Sequence, residues 1–120
     1  GIEIQNNQSD VNPLYERIIQ IACEMNGNDN IGLVVGATQT DMMGKIRKLS
    51  KGLPWLVPGI GAQGGDLQKS VSISNQNGQG VINISRGILY AGNGSMDDII
   101  KSAHEYTKQI RESICNPITC

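Results

Sequence analysis

The sequence predicts an α/β fold on a parallel sheet, with each strand followed by a helix that returns the chain to the start of the next. Three apolar runs, at 31–36, 55–57 and 81–84, begin 24 residues (31 to 55) and 26 residues (55 to 81) apart. The stretch after each run carries helical periodicity. The first run, Ile31-Gly32-Leu33-Val34-Val35-Gly36, is apolar on successive positions, the pattern of a strand buried on both faces. Parallel neighbours need a crossover of about a dozen residues or more, usually a helix, and every gap can hold one.

The first predicted element is a helix. Asn12 can cap it, Pro13 suits its first position, and Leu14, Ile18, Ile21, Ala22 and Met25 recur along one face before Gly27 stops it. After the 31–36 strand, residues 38–51 return to a helical pattern. There Thr38 and Asp41 form a candidate capping box, and Lys45, Arg47, Lys48 and Lys51 sit toward the carboxyl end, where cations suit the helix dipole. Gly52 closes that helix and Trp55-Leu56-Val57 forms the second strand. A glycine-rich turn then leads to a helix over 66–75, with Asp66 as its cap. The polar cluster Asn75 to Gly80 turns the chain into a third strand over 81–84. Ser95 and Asp98 cap a last helix, whose apolar face is Ile99, Ile100, Ala103, Tyr106, Ile110 and Ile114. Three such βα units fit either a doubly wound sheet or part of an eight-stranded βα barrel, which takes about 250 residues when whole.

Bulk properties narrow the function. The 120 residues suffice for one domain with a core. A net charge of −1 and a pI near 5.7 give no general attraction to nucleic acid or to an anionic membrane. No apolar run approaches the roughly 20 residues that cross a bilayer. The start, Gly1-Ile2-Glu3-Ile4, has neither the basic nor the apolar region of a signal peptide, and its lack of methionine suggests that upstream sequence is missing. Cys23, Cys115 and Cys120 have no C-x-x-C spacing and no even count, so reduced thiols in a cytoplasmic protein are expected, with no zinc site. Cys23 fits a small core residue better than a reactive thiol. His104 is expected to face solvent from the last helix, and no Ser/His/Asp or Cys/His set is visible.

The chemistry concentrates in two loops. Val57-Pro58-Gly59-Ile60-Gly61-Ala62-Gln63-Gly64-Gly65-Asp66 follows the second strand, and Ser85-Arg86-Gly87 follows the third. Glycines allow a sharp turn that brings backbone N–H groups up to an anion. Arg86 adds planar, always-charged donors suited to phosphate oxygens, and Gln63 adds an amide donor. Backbone N–H groups of Gly64, Gly65 and the Ser85-Arg86 turn complete the cage. The plainer alternatives are a surface ion pair for Arg86 and a solvated loop residue for Gln63. Gly59-x-Gly61-x-x-Gly64 also fits a dinucleotide fingerprint. That motif belongs to a first βα turn with an acidic residue ending the next strand, whereas here the turn is the second and the next strand ends in Ser85-Arg86. An NADP-dependent dehydrogenase therefore stays open as the weaker alternative, beside a non-catalytic module that binds a nucleotide phosphate.

Three ordered segments carry a family resemblance: Val35-Gly36-Ala37-Thr38, Leu56 to Asp66, and Asn83-Ile84-Ser85-Arg86-Gly87-Ile88-Leu89-Tyr90-Ala91. Over about residues 11–91 the sequence resembles the bacterial-type branch of orotidine 5′-phosphate decarboxylase, a carbon-carbon lyase of pyrimidine biosynthesis. The resemblance implies a (β/α)8 TIM barrel, with residues 1–120 as the carboxyl-terminal half of that single domain and its three strands as strands six to eight. It implies substrate binding by Pro58 at the pyrimidine, by Gln63 at the phosphate from a closing loop, and by Arg86 at the phosphate, with backbone from Gly64, Gly65, Ser85 and Gly87. It also implies orotidine 5′-monophosphate as the small-molecule partner, no cofactor or metal, and a homodimer once the amino-terminal half is present. The family's catalytic array, typically Asp-x-Lys-x-x-Asp, does not occur in these residues: Asp97-Asp98 lack the lysine and Lys45 lies in a helix. Residues 113–120 carry nothing diagnostic.

Overall fold

A computed structural model of the chain describes residues 14–37, 40–60 and 66–115. The element order is α1 (Leu14–Met25), β1 (Leu33–Val34), α2 (Thr40–Leu49), β2 (Trp55–Val57), α3 (Leu67–Ser74), β3 (Gly80–Ile82), α4 (Arg86–Leu89) and α5 (Met96–Cys115). The expected βα repeat is present. Asn12, Pro13 and Thr38, proposed as starts of the first two helices, lie outside the described residues.

The sheet runs β1-β2-β3 with both pairings parallel. Leu33 stands opposite Trp55, Val34 opposite Leu56, and Leu56 opposite Val81. Because side chains alternate along a strand, this register separates two faces. Trp55 and Val57 point to the helices and are fully buried, with Tyr15, Ile19, Met43, Ile46 and Ile73 around them. Val34, Leu56 and Val81 form a row on the other face, 44%, 43% and 60% exposed. The expectation of a strand buried on both sides is therefore corrected for this chain. Its helices cover one face, and no described residue folds over the other. In a (β/α)8 barrel that second face turns inward, where layers of side chains from other strands fill it.

The face of α1 also differs from expectation. Tyr15 and Ile19, one helical turn apart, are the residues buried against the core, while Leu14, Ile21 and Met25 are exposed. The seam with α2 sets this rotation. Lys45 Nζ reaches Glu16 Oε1 at 2.8 Å and lies 5.7 Å from the centre of the Tyr15 ring. The carboxylate and the phenol hold the Lys45 ammonium above its usual pKa.

Among the cations placed toward the carboxyl end of α2, Arg47 does more than suit the helix dipole. Its guanidinium is buried and lies over the Trp55 ring, 4.2 Å from the ring centre. Nη1 donates to the carbonyls of Leu53 (2.8 Å) and Lys51 (3.3 Å) and to Ser50 Oγ (3.4 Å). Nη2 donates to the carbonyls of Ser74 (2.7 Å) and Gln79 (3.3 Å). Burial lowers the arginine pKa from its usual value, and backbone carbonyls surround the charge in place of a carboxylate. Gly78 makes room for it, since a Cβ there would stand 2.7 Å from Nη2.

The turns hold a related surprise. Gly27 and Gly52 were expected to end their helices, yet the left-handed residues are Asp29 and Lys51, each with φ 53°, and Asn77 does the same before Gly78. Asp and Asn tolerate this region through local hydrogen bonding. Lys51 has no such aptitude, and its carbonyl is held by Arg47. Boundaries moved by one or two residues at α2 and β3, a range in which element ends are inherently soft. The single turn α4 was not foreseen.

Replacing Arg47 by Met leaves buried carbonyls without donors, and a loss of about 3 kcal/mol of unfolding free energy is expected. Trp55, the sole tryptophan and itself under the guanidinium, supplies the fluorescence signal for urea titrations. A loss under about 1 kcal/mol, no more than one ordinary hydrogen bond, would show that the carbonyls find other partners.

Candidate functional site

Parallel strands put all their carboxyl ends at one edge of the sheet, where α/β folds bind ligands. Here hydrogen bonds continue the pairing past the strands and hold the exits together. Ala37 N–H donates to the Pro58 carbonyl at 2.9 Å, and Asn83 N–H donates to the Val57 carbonyl at 3.1 Å. The loops after β2 and β3 thus leave from adjacent positions.

Pro58 is half-buried at the first exit, followed by Gly59 with φ 95° and the buried Ile60. A side chain at Gly59 would be strained by that backbone angle alone. Gln63, Gly64 and Gly65 lie outside the described residues, as does Gly61. The described chain resumes at Asp66, whose Oδ1 accepts from Lys69 N–H at 3.0 Å as the N-cap of α3. The capping role expected for Asp66 is the one observed.

At the second exit, Ser85 occupies the N-cap position of α4 but makes no side-chain cap bond, and its Oγ accepts from Asn83 Nδ2 at 3.5 Å. Arg86 opens α4 and is exposed. Its side chain has no ion pair or hydrogen bond among the described residues, so the surface ion pair considered as the plainer alternative does not form there. A guanidinium with its donors unspent is suited to an incoming anion. Gly87 follows within the same turn, and α5 packs against it. Asn83 was not singled out from sequence, although a polar residue inside an apolar run was the available signal.

Other features lie elsewhere. A groove of about 510 Å³ runs between α1 and the end of α2, lined by Glu16, Cys23, Leu49 and Lys51 among others. It is at the opposite end of the strands, because Lys51 leads into the start of β2. Cys23 is half-buried there, packs against the core, and its thiol donates to the Leu49 carbonyl at 3.8 Å. His104 is exposed on α5. Among the described residues, no cluster of His, Cys, Asp and Glu could hold a metal ion, and no helix is long and apolar enough to cross a membrane.

Three parallel strands in sequence order, each followed by a helix and with the loops after the second and third leaving from one edge at their carboxyl ends, are a segment of a (β/α)8 barrel. No family model matches the sequence. The chain is 44% identical over 108 residues to the orotidine 5′-phosphate decarboxylase of Haloarcula marismortui, covering 84% of this chain and 39% of that protein. It is 48% identical over 103 residues to that of Dehalococcoides mccartyi, covering 84% and 37%. In structure it overlays Leishmania donovani OMP decarboxylase with a TM-score of 0.74 at 30% identity, over 93% of this chain and 42% of that one. The chain belongs with the orotidine 5′-phosphate decarboxylases, as the counterpart of their carboxyl-terminal part. It spans 39% and 37% of the length of the two curated relatives above.

Two glycine substitutions are expected to act in opposite directions. Gly59→Ala forces a side chain onto φ 95° and should cost about 1–3 kcal/mol. Gly44→Ala, inside α2 with open space around its Cα, should add about 0.5–1 kcal/mol. Thermal unfolding of both variants checks the pair, and equal shifts would show that the Gly59 angle relaxes freely.

Proposed function

We propose that the chain is the carboxyl-terminal part of a single (β/α)8 decarboxylase domain, supplying strands six to eight. In that reading its two loops hold orotidine 5′-monophosphate while the substrate loses CO2 to give uridine 5′-monophosphate. Pro58 lies along the pyrimidine. Gln63 and Arg86 grip the phosphate, with backbone from Gly64, Gly65, Ser85 and Gly87. The lysine and aspartates that act on the carboxylate belong to the amino-terminal half, which the chain needs as its complement in a cytoplasmic homodimer.

One observation supports this most strongly: Arg86 stands exposed and unpaired among the described residues, at the carboxyl end of the sheet, in a chain 44% identical to a decarboxylase of this family. The exposed row of Val34, Leu56 and Val81 supports the domain assignment, since a barrel interior would cover it.

The phosphate is remote from the carbon that loses CO2. Binding energy gathered there can be spent on orienting the ring and closing the site, so it appears in turnover as well as in affinity. Arg86 supplies that energy as charged hydrogen bonds whose geometry does not depend on the reacting bond.

Arg86→Ala in the full gene product is expected to reduce kcat/KM for orotidine 5′-monophosphate by about 2–4 kcal/mol of transition-state stabilisation. Steady-state kinetics checks this. An unchanged kcat/KM would remove Arg86 from the phosphate site and the functional assignment with it.

A further inference from the structure

Resting on the reading of Arg86 as a phosphate ligand, we propose that Ser102 is a positioning residue for it, holding Gly87, the residue that follows it, in place from α5. Helix α4 has only four residues, and a single turn is too short to hold its own shape in water. Its hydrogen bonding is also incomplete. Ala91 N–H donates to the Ile88 carbonyl at 3.3 Å, one residue short of the α-helical acceptor, Gly87. The Gly87 carbonyl instead accepts from Ser102 Oγ at 2.7 Å, across 15 residues of chain.

A second contact acts from the same side. Tyr106 is one turn beyond Ser102 and presses on Gly87, where an added Cβ would lie 2.6 Å from the phenol oxygen and 3.1 Å from two ring carbons. The hydrogen bond fixes the rotation of the Gly87-Ile88 peptide, and the phenol ring fixes the depth of Gly87. A glycine at 87 is what permits this approach.

The bracket itself is firm. Helix α5 has 20 residues and packs on α3 as well as on α4. Its start is tied by Asp98 N–H to Ser95 Oγ at 3.2 Å and by Asn93 N–H to Asp98 Oδ2 at 3.1 Å. Arg86 is the residue just before the one that α5 holds, in the same single turn, so the direction of its donors follows from how Ser102 sets that turn. Small misplacements of a binding group carry a large kinetic penalty.

The test uses the full gene product with two substrates, orotidine 5′-monophosphate and orotidine, which lacks the phosphate. Ser102→Ala is expected to raise KM for the monophosphate and to lower the preference for it over orotidine by about tenfold, the worth of one hydrogen bond. Ser102→Thr, which keeps the hydroxyl, is expected to restore most of that preference. Gly87→Ala, which drives the turn off Tyr106, should move the ratio the same way. A preference unchanged within about twofold in Ser102→Ala and Gly87→Ala, while Arg86→Ala abolishes it, would overturn the positioning role and leave the phosphate assignment intact. An unchanged preference in Arg86→Ala would overturn both.

Discussion

The described fold depends on one buried cation. Arg47 collects the carbonyls that end α2 and α3 and those that lead into β2 and β3, and it lies flat on Trp55. Two successive βα units are pinned to each other at that point. Charge-assisted hydrogen bonds are about twice as strong as neutral ones, and here they lie where water is excluded. The pinned end is the amino-terminal end of the strands, the end of a barrel that serves stability. The opposite end is thereby left to carry loops whose shape need not hold the sheet together.

That division explains the contrast between the two arginines. Arg47 is hidden and spends both terminal nitrogens on backbone carbonyls and the Ser50 hydroxyl, though its Nε has no partner among the described residues, while Arg86 is exposed and makes no side-chain bond within the described residues. The same residue type does structural work at one end of the sheet and offers itself to an anion at the other. Between them, Trp55 and Val57 anchor the helices while Leu56 points away. A three-residue strand thus serves both layers.

Much of this was legible in the residues. The βα repeat, the second strand, the caps by Asp66 and Ser95, and the gathering of Pro58 with Ser85-Arg86-Gly87 at one sheet edge all follow from local chemistry: short apolar runs, side-chain caps and turn residues. Arg47 was not legible, because its burial depends on acceptors as far as 32 residues away, and helical spacing says nothing of those. The rotation of α1 escaped for a similar reason. Its apolar residues outnumber one face, and the choice of Tyr15 and Ile19 was made by the seam with α2. The single turn α4 has too few residues for periodicity to register. The both-face burial expected of β1 reads a whole barrel from a part of one, and the part exposes what the whole would cover.

The partners of Arg47 are four main-chain carbonyls and one serine hydroxyl. A carbonyl is the same acceptor whatever side chain it carries. Lys51, Leu53, Ser74 and Gln79 are consequently free to drift under selection without loosening the grip, within the limits of their own packing. Arg47 itself is not, and neither is Gly78, which yields it space. The sequence trace of this anchor is therefore narrow, Arg47 with Ser50, Trp55 and Gly78, and homologous chains can diverge at most positions between 47 and 78 while sharing the same lock.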